Sequence, residues 1–265
     1  AGIQLGLLYY NDNQPEKALA AYKQVISNYP GSEEAKIALQ DLKSVYIDLN
    51  DINAYASYVN SIGGNIRLEV GEQDSLTYIA AEKLFMRGDN DGARRSLINY
   101  LQTFPEGAFS SNANFYLGSI AFAKKEFDEA IQRFKSVIAS GDTKFLEESV
   151  ARTAEIEYLS KDYPAALESF KRLQIVAENP ENRQAARLGI MRCALQTGQQ
   201  KDALLAADEL LKEPKLSPEL EAEARYVRAK AYIAQKQANK ALADLKELSK
   251  DTRTVHGAEA KYLLA

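Results

Sequence analysis

The chain has 265 residues, 46% of them hydrophobic and 26% charged, with a formal net charge of −4. Charges of both signs are interspersed, which excludes the concentrated basic stripe that nucleic-acid phosphates require. No apolar run reaches the roughly 20 residues of a membrane-spanning helix, and the single cysteine, Cys193, excludes a disulfide framework or thiolate metal cluster and is expected to be a small buried apolar residue.

In chain order, the first predicted helical hairpin covers residues 1–31. Its first helix carries Leu5-Gly6-x-x-Tyr9 and its second Ala18-x-x-x-Tyr22, with Pro15 opening the second helix and Pro30 beyond its end. Small residues such as Gly6 are expected where two helix axes cross closely, with large residues filling the flanks. A second hairpin follows at 32–64, with Ile52 in the place of Ala18 and Gln40 in that of Gly6. Residues 61–74, with Gly63, Gly64 and Gly71, lack helical character and read as an inserted extended loop; Asn65 to Val70 alternate polar and apolar, a weak strand signal. Hairpins at 74–107, 108–143, 144–181, 182–217 and 218–254 then carry Ala93, Ala130, Ala166, Ala203 and Ala241, each followed four residues on by Leu97, Phe134, Phe170, Ala207 or Leu245. The first-helix place of Gly6 recurs as Ala81, Gly118, Ala154 and Ala229, with Met191 departing from it. Asp128 and Asp162 suit helix starts, and Gly88 and Gly198 suit helix ends. The final segment, 255–265, aligns with Ala113 to Gly118. The sequence is therefore expected to stop inside an eighth first helix, as part of a longer protein, and its start at Ala1 without Met is compatible with a signal or lipid anchor ahead of it.

From Ala18 through Ile52 to Ala241 the separations are 34, 41, 37, 36, 37 and 38 residues. These places and spacings resemble the tetratricopeptide repeat, whose ideal period is about 34 residues, although its tryptophan place is empty throughout because the chain has no Trp. The resemblance implies an all-α fold: a right-handed superhelical solenoid of about seven helix-turn-helix units plus a truncated eighth first helix, in one array over residues 1–265. One hairpin cannot bury its apolar face alone, so neighbours must stack.

The resemblance further implies that first helices line a concave groove through repeat positions 2, 5, 9 and 12. Carried onto this sequence, the groove candidates are Tyr78, Glu82, Phe115, Ser119, Phe122, Glu155, Tyr158, Arg192, Tyr226 and Lys230. Aromatic rings in such a groove offer large contact area at low entropic cost. Position 9 reads Leu7, Asp41, Glu82, Ser119, Glu155, Arg192, Lys230. That order passes from acidic to basic, and a lateral ion pair is expected between Glu155 and Arg192. The turns around Asn28 to Ala35 and Thr103 to Gly107 are similar to those of bacterial cell-envelope repeat scaffolds, such as the outer-membrane assembly lipoprotein and the coordinator that works with Tol–Pal. That similarity implies a periplasmic or envelope-associated setting.

Catalytic chemistry finds no foothold. His256 is the only histidine and is expected to be a solvated turn residue beside Gly257, so neither a triad nor a typical zinc site can form around it. No glycine-rich phosphate loop occurs. Glu148 and Glu155 share a helical face, but a glycosidase would need them in a deep pocket with sugar platforms. The expected function is a non-catalytic scaffold that holds a peptide or protein segment, with no cofactor, metal, nucleic acid or membrane span. Self-association and, further off, glycan binding are the alternatives.

Overall fold

A computed structural model describes residues 1–63, 67–141 and 143–265. Among them are fifteen α-helices and no strands. The helices gather into two compact units, Ala1–Ala123 and Lys124–Ala265. The first holds α1 (Gly2–Asn11), α2 (Pro15–Asn28), α3 (Glu33–Asp48), α4 (Ile52–Ile62), α5 (Val70–Met86), α6 (Asn90–Thr103) and α7 (Ser110–Ala123). The second holds α8 (Phe127–Ser140), α9 (Leu146–Leu159), α10 (Tyr163–Val176), α11 (Pro180–Gln196), α12 (Gln200–Leu210), α13 (Pro218–Ala234), α14 (Ala238–Leu248) and α15 (Val255–Leu264).

The backbone sets the repeat more sharply than any side chain. Each turn from an odd-numbered helix to the next even one holds one residue in the left-handed region: Asn13, Asn50, Gly88, Lys125, Lys161, Gly198 or Lys236, at separations of 36 to 38 residues. The first helix always ends two residues before it and the second begins two after. Where the closing bonds are described, they repeat as well. Lys161 and Asp162 donate to the carbonyls of Tyr158 and Glu157, both at 2.9 Å, as Gly88 and Asp89 do to Phe85 and Leu84 at 2.9 and 3.0 Å. This satisfies carbonyls that a helix end leaves without partners.

These turns correct the second hairpin. Ile52 opens α4 as Pro15 opens α2, so the place of Ala18 falls on Tyr55, three residues later. The short and long steps of 34 and 41 become 37 and 38, and no insertion is needed. The expected loop shrinks accordingly: Ser61 and Ile62 end α4, while Val70 to Asp74 form the start of α5. Residues 67–69 are not strand, and Gly64, Asn65 and Ile66 lie outside the described residues. The 17 residues of α5 match the lengths of α11 and α13, so a long first helix is a recurring type here.

Packing follows the small-residue plan. Ala18, Ala93, Ala130, Ala166, Ala203 and Ala241 are all fully buried, and Tyr55 is 4% exposed in their place. A Cβ on Gly6 would lie 2.5 Å from the Tyr22 ring, which fixes glycine at that crossing. In the first unit one apolar cluster joins Tyr22, Val25, Leu42, Val45 and Val59, and another joins Tyr78, Leu97, Tyr100, Leu117 and Ile120. In the second unit a single cluster runs from Val150 to Ala260. The Thr103 to Gly107 turn is held by Asp74, which accepts from the Tyr100 hydroxyl at 2.6 Å and the Ala108 amide at 2.8 Å. That motif therefore has a local structural cause.

Candidate functional site

First helices that neighbour one another within a unit are tied by polar contacts. Between α5 and α7, the Tyr78 hydroxyl donates to Glu82 at 2.5 Å and accepts from Asn112 at 3.1 Å, and Tyr116 donates to the same carboxylate at 3.0 Å. Between α11 and α13, Arg192 forms a bidentate pair with Glu223 at 2.6 and 2.7 Å. Between α13 and α15, Lys230 meets Glu259 at 3.5 Å. Glu223 lies thirteen residues before the left-handed Lys236, as Asn112 does before Lys125, and Glu259 follows Glu223 by 36 residues, one repeat. At α11–α13 and α13–α15 a rung therefore runs from position 9 of one first helix to position 2 of the next, and at α5–α7 the Tyr78 hydroxyl joins the same two places.

The seam between α9 and α11 lacks such a rung. Glu147, near the start of α9, accepts from Asn182 at 2.7 Å and from the amides of Glu178 and Asn179 at 2.9 and 3.1 Å. Beyond that crossing, Ala185 stands where α7 and α13 carry Asn112 and Glu223, and Glu155 turns to Arg152 on its own helix at 2.9 Å. The expected Glu155–Arg192 pair is thus replaced by two others, Arg152–Glu155 and Arg192–Glu223. The acidic-to-basic gradient along position 9 is likewise absorbed, because Arg192 and Lys230 are met by glutamates of the next helix. The corrected register also puts Ser44 rather than Asp41 in that row.

A cleft of about 300 Å³ opens at this seam, at the small end of the ~300–1,000 Å³ range of ligand pockets. Its apolar wall is Tyr158, Leu159, Phe170, Leu173 and Leu188, and its rim carries Glu148, Arg152, Glu155 and Arg192. Two small residues one turn apart on α11, Ala185 and Gly189, make the room. The Phe170 ring leans against Gly189 so closely that a Cβ there would lie 2.4 Å from ring atoms. Tyr158 meets Phe170 edge-on at 6.4 Å. Burial raises the Tyr158 hydroxyl above its ordinary value, opposed by the Arg192 charge.

Of the ten groove candidates, the cleft brings together Glu155, Tyr158 and Arg192. Tyr78 is 2% exposed, stacked on Phe109 at 4.5 Å, and Tyr226 is 8% exposed, stacked on His256 at 4.6 Å. Both are interior residues that brace adjacent first helices, so the expectation of exposed rings is corrected at these two places. Glu82 is the acceptor of the α5–α7 rung, and Lys230 lies over the Tyr226 ring at 5.3 Å. Phe115, Ser119 and Phe122 are half-buried in the first unit, and the Ser119 hydroxyl donates back to the Phe115 carbonyl at 2.9 Å. His256 lies in the first turn of α15, half-buried against Tyr226 with Nδ1 enclosed, rather than in solvent. Leu159, Phe170, Leu173, Asn182, Ala185 and Gly189 were missing from the groove candidates. The small pair Ala185 and Gly189 opposite a large Phe170 was the available signal.

Glu148 and Glu155 do not form a bare carboxylate pair, since Arg152 bridges them at 2.8 and 2.9 Å. Among the described residues no group of three or more His, Cys, Asp or Glu side chains is placed to hold a metal ion. No described helix is long and apolar enough to cross a membrane.

Comparison with known proteins gives the class. One tetratricopeptide-repeat profile matches residues 1–32 and a second matches residues 80–143. At those residues the chain carries tetratricopeptide repeats, and its described helices have an all-α helical repeat fold. Among solved structures it is similar to YrrB, a tetratricopeptide-repeat protein with an unusual peptide-binding site, at 18% identity and TM-score 0.53 over 71% of this chain and 91% of that one. It is also similar to the C-terminal part of a tetratricopeptide-repeat protein from Cytophaga hutchinsonii, at 15% identity and TM-score 0.51 over 97% and 98% of the two chains. PilW, a type IV pilus biogenesis factor, matches at 15% identity and TM-score 0.43 over 84% and 96%. No curated protein matches the chain in sequence.

Proposed function

We infer that this chain is a non-catalytic interaction scaffold whose cleft between α9 and α11 receives a bulky side chain of a peptide or protein segment. The observation that carries this is the cleft itself: the seam between α9 and α11 has no rung and opens onto a pocket floored by Phe170 and Leu173 and walled by Tyr158 and Leu188. Rigid aromatic and aliphatic walls with a polar rim suit an anchor residue, because desolvating one large side chain supplies most of the affinity of a small contact. Tetratricopeptide families are typically non-catalytic scaffolds, and the peptide-binding site of YrrB lends the reading support by analogy of fold. Service in a bacterial envelope assembly is part of this reading and rests on the resemblance of the inter-repeat turns. Self-association is a second reading with one observation in its favour: α1 leaves Leu5, Leu7 and Leu8 exposed, at 45%, 49% and 65%.

The test is selection of a displayed library of random 12-residue peptides on the full chain and on Ala185→Phe. Ala185 is exposed on α11, so the larger ring fills the cleft without entering the core. Clones that hold the parent chain and release the variant are expected. Selected clones that hold both chains equally, or no enrichment at all, would remove the cleft from the function.

A further inference from the structure

The rim of the α9–α11 cleft is unevenly charged. Arg192 is charge-paired with Glu223 through two hydrogen bonds, so that corner carries no net charge. On the opposite side Glu148 and Glu155 share one guanidinium, each accepting a single hydrogen bond from Arg152. A carboxylate offers about four lone-pair sites, so both retain acceptor capacity, and their side chains are 42% and 46% exposed. They flank the apolar wall made by Tyr158, Leu159 and Leu188.

We propose that the cleft selects a segment in which a large apolar residue lies next to a lysine or arginine. The apolar side chain enters between Ala185 and Phe170, and the cation pairs with Glu148 and Glu155 at the α9 edge. This rests on the cleft being the contact surface and adds the chemistry of what fills it. The reasoning is charge complementarity at an apolar site: a basic flank meets two carboxylates that share one guanidinium, whereas an acidic flank meets repulsion. Because the two glutamates are half-exposed, they act on preference and salt dependence more than on total affinity.

The experiment reads composition and affinity together. Clones selected as above are sequenced, and representative synthetic 12-residue peptides are titrated by fluorescence anisotropy. The titrations use the full parent chain, Glu148→Gln/Glu155→Gln and Ala185→Phe, each checked for an unchanged melting midpoint. Lysine or arginine is expected within two residues of the apolar anchor. Replacing it by serine should weaken binding about fivefold at low salt, the effect of one or two exposed ion pairs. That fivefold difference should vanish in the glutamine double variant and in 1 M salt. Clones that need Ala185 but show no basic flank, or an acidic one, would overturn the proposal and leave the cleft as the contact surface. Clones indifferent to Ala185→Phe would overturn both.

Discussion

Gly189→Ala separates two opposing forces by sign. Gly189 lies inside the helix α11, and on helix propensity alone alanine there is worth about 0.8–1 kcal/mol of added stability. The structure opposes this, because a Cβ at 189 would lie 2.4 to 2.5 Å from three ring atoms of Phe170. Ordinary contact begins near 3.4 Å, so the ring must give by about 1 Å. Phe170 is 9% exposed and its ring already meets Tyr158, so it has little room to retreat. Overpacking of this kind costs about 1–3 kcal/mol, and the net expectation is a loss of up to about 2 kcal/mol once propensity is deducted. In a Phe170→Ala background the clash is gone, so the same glycine change should stabilise by about 1 kcal/mol. The coupling between the two sites is then the overpacking cost itself, about 1–3 kcal/mol. Urea unfolding gives the global shift. Modification of Cys193, four residues along α11 and fully buried, gives the local one. Burial pushes its thiol up to about 11, so reagent reacts chiefly through opened states. A stabilised Gly189→Ala in the parent background would show that the ring does not rest on this helix.

Tyr78→Ala should cost about 3–5 kcal/mol, as for other large buried aromatics, because it removes a stacked ring and strips Glu82 and Asn112 of a shared partner; an unchanged melting temperature would contradict its interior placement. Glu147 gives a pH signature. Desolvation pushes its carboxyl up, but Asn182, the amides of Glu178 and Asn179, and the Arg183 charge together hold it below the usual carboxylate range. A carboxylate depressed by folding contributes stability above its unfolded pKa and loses it as pH falls through the folded one. The protection factors of the Glu178 and Asn179 amides, corrected for the intrinsic pH dependence of exchange, should therefore fall on acidification through and below the ordinary glutamate range in the parent chain. In Glu147→Gln that acid-dependent step should be missing; an identical profile in both would remove this tether.

Helical hairpins were legible in the sequence because alanines at the crossings and large residues four places on repeat with nearly constant spacing. The second hairpin was misjudged for a physical reason. Tyr55 fills by itself the place that elsewhere takes an alanine, so matching small apolar residues pulled the alignment onto Ile52. What fixes the register there is the left-handed turn at Asn50, a backbone property that Lys125, Lys161 and Lys236 share without any common side chain. The site was legible in part. Repeat positions pointed to Glu155, Tyr158 and Arg192, but they could not tell an open seam from a closed one. That distinction depends on the partner one repeat further on, and it turned Tyr78 and Tyr226 from expected contact surface into bracing.

The ion-pair rungs Arg192–Glu223 and Lys230–Glu259 project from helices whose packing is done by alanine, leucine and aromatic side chains elsewhere, so their loss leaves the hairpins standing. Trading Arg192 and Glu223 for alanines opens a second mouth one step along, and a charged couple at positions 155 and 185 shuts the first. Partner choice on such a framework is written in a few interchangeable crossbars, free to drift under selection while the frame itself stays put.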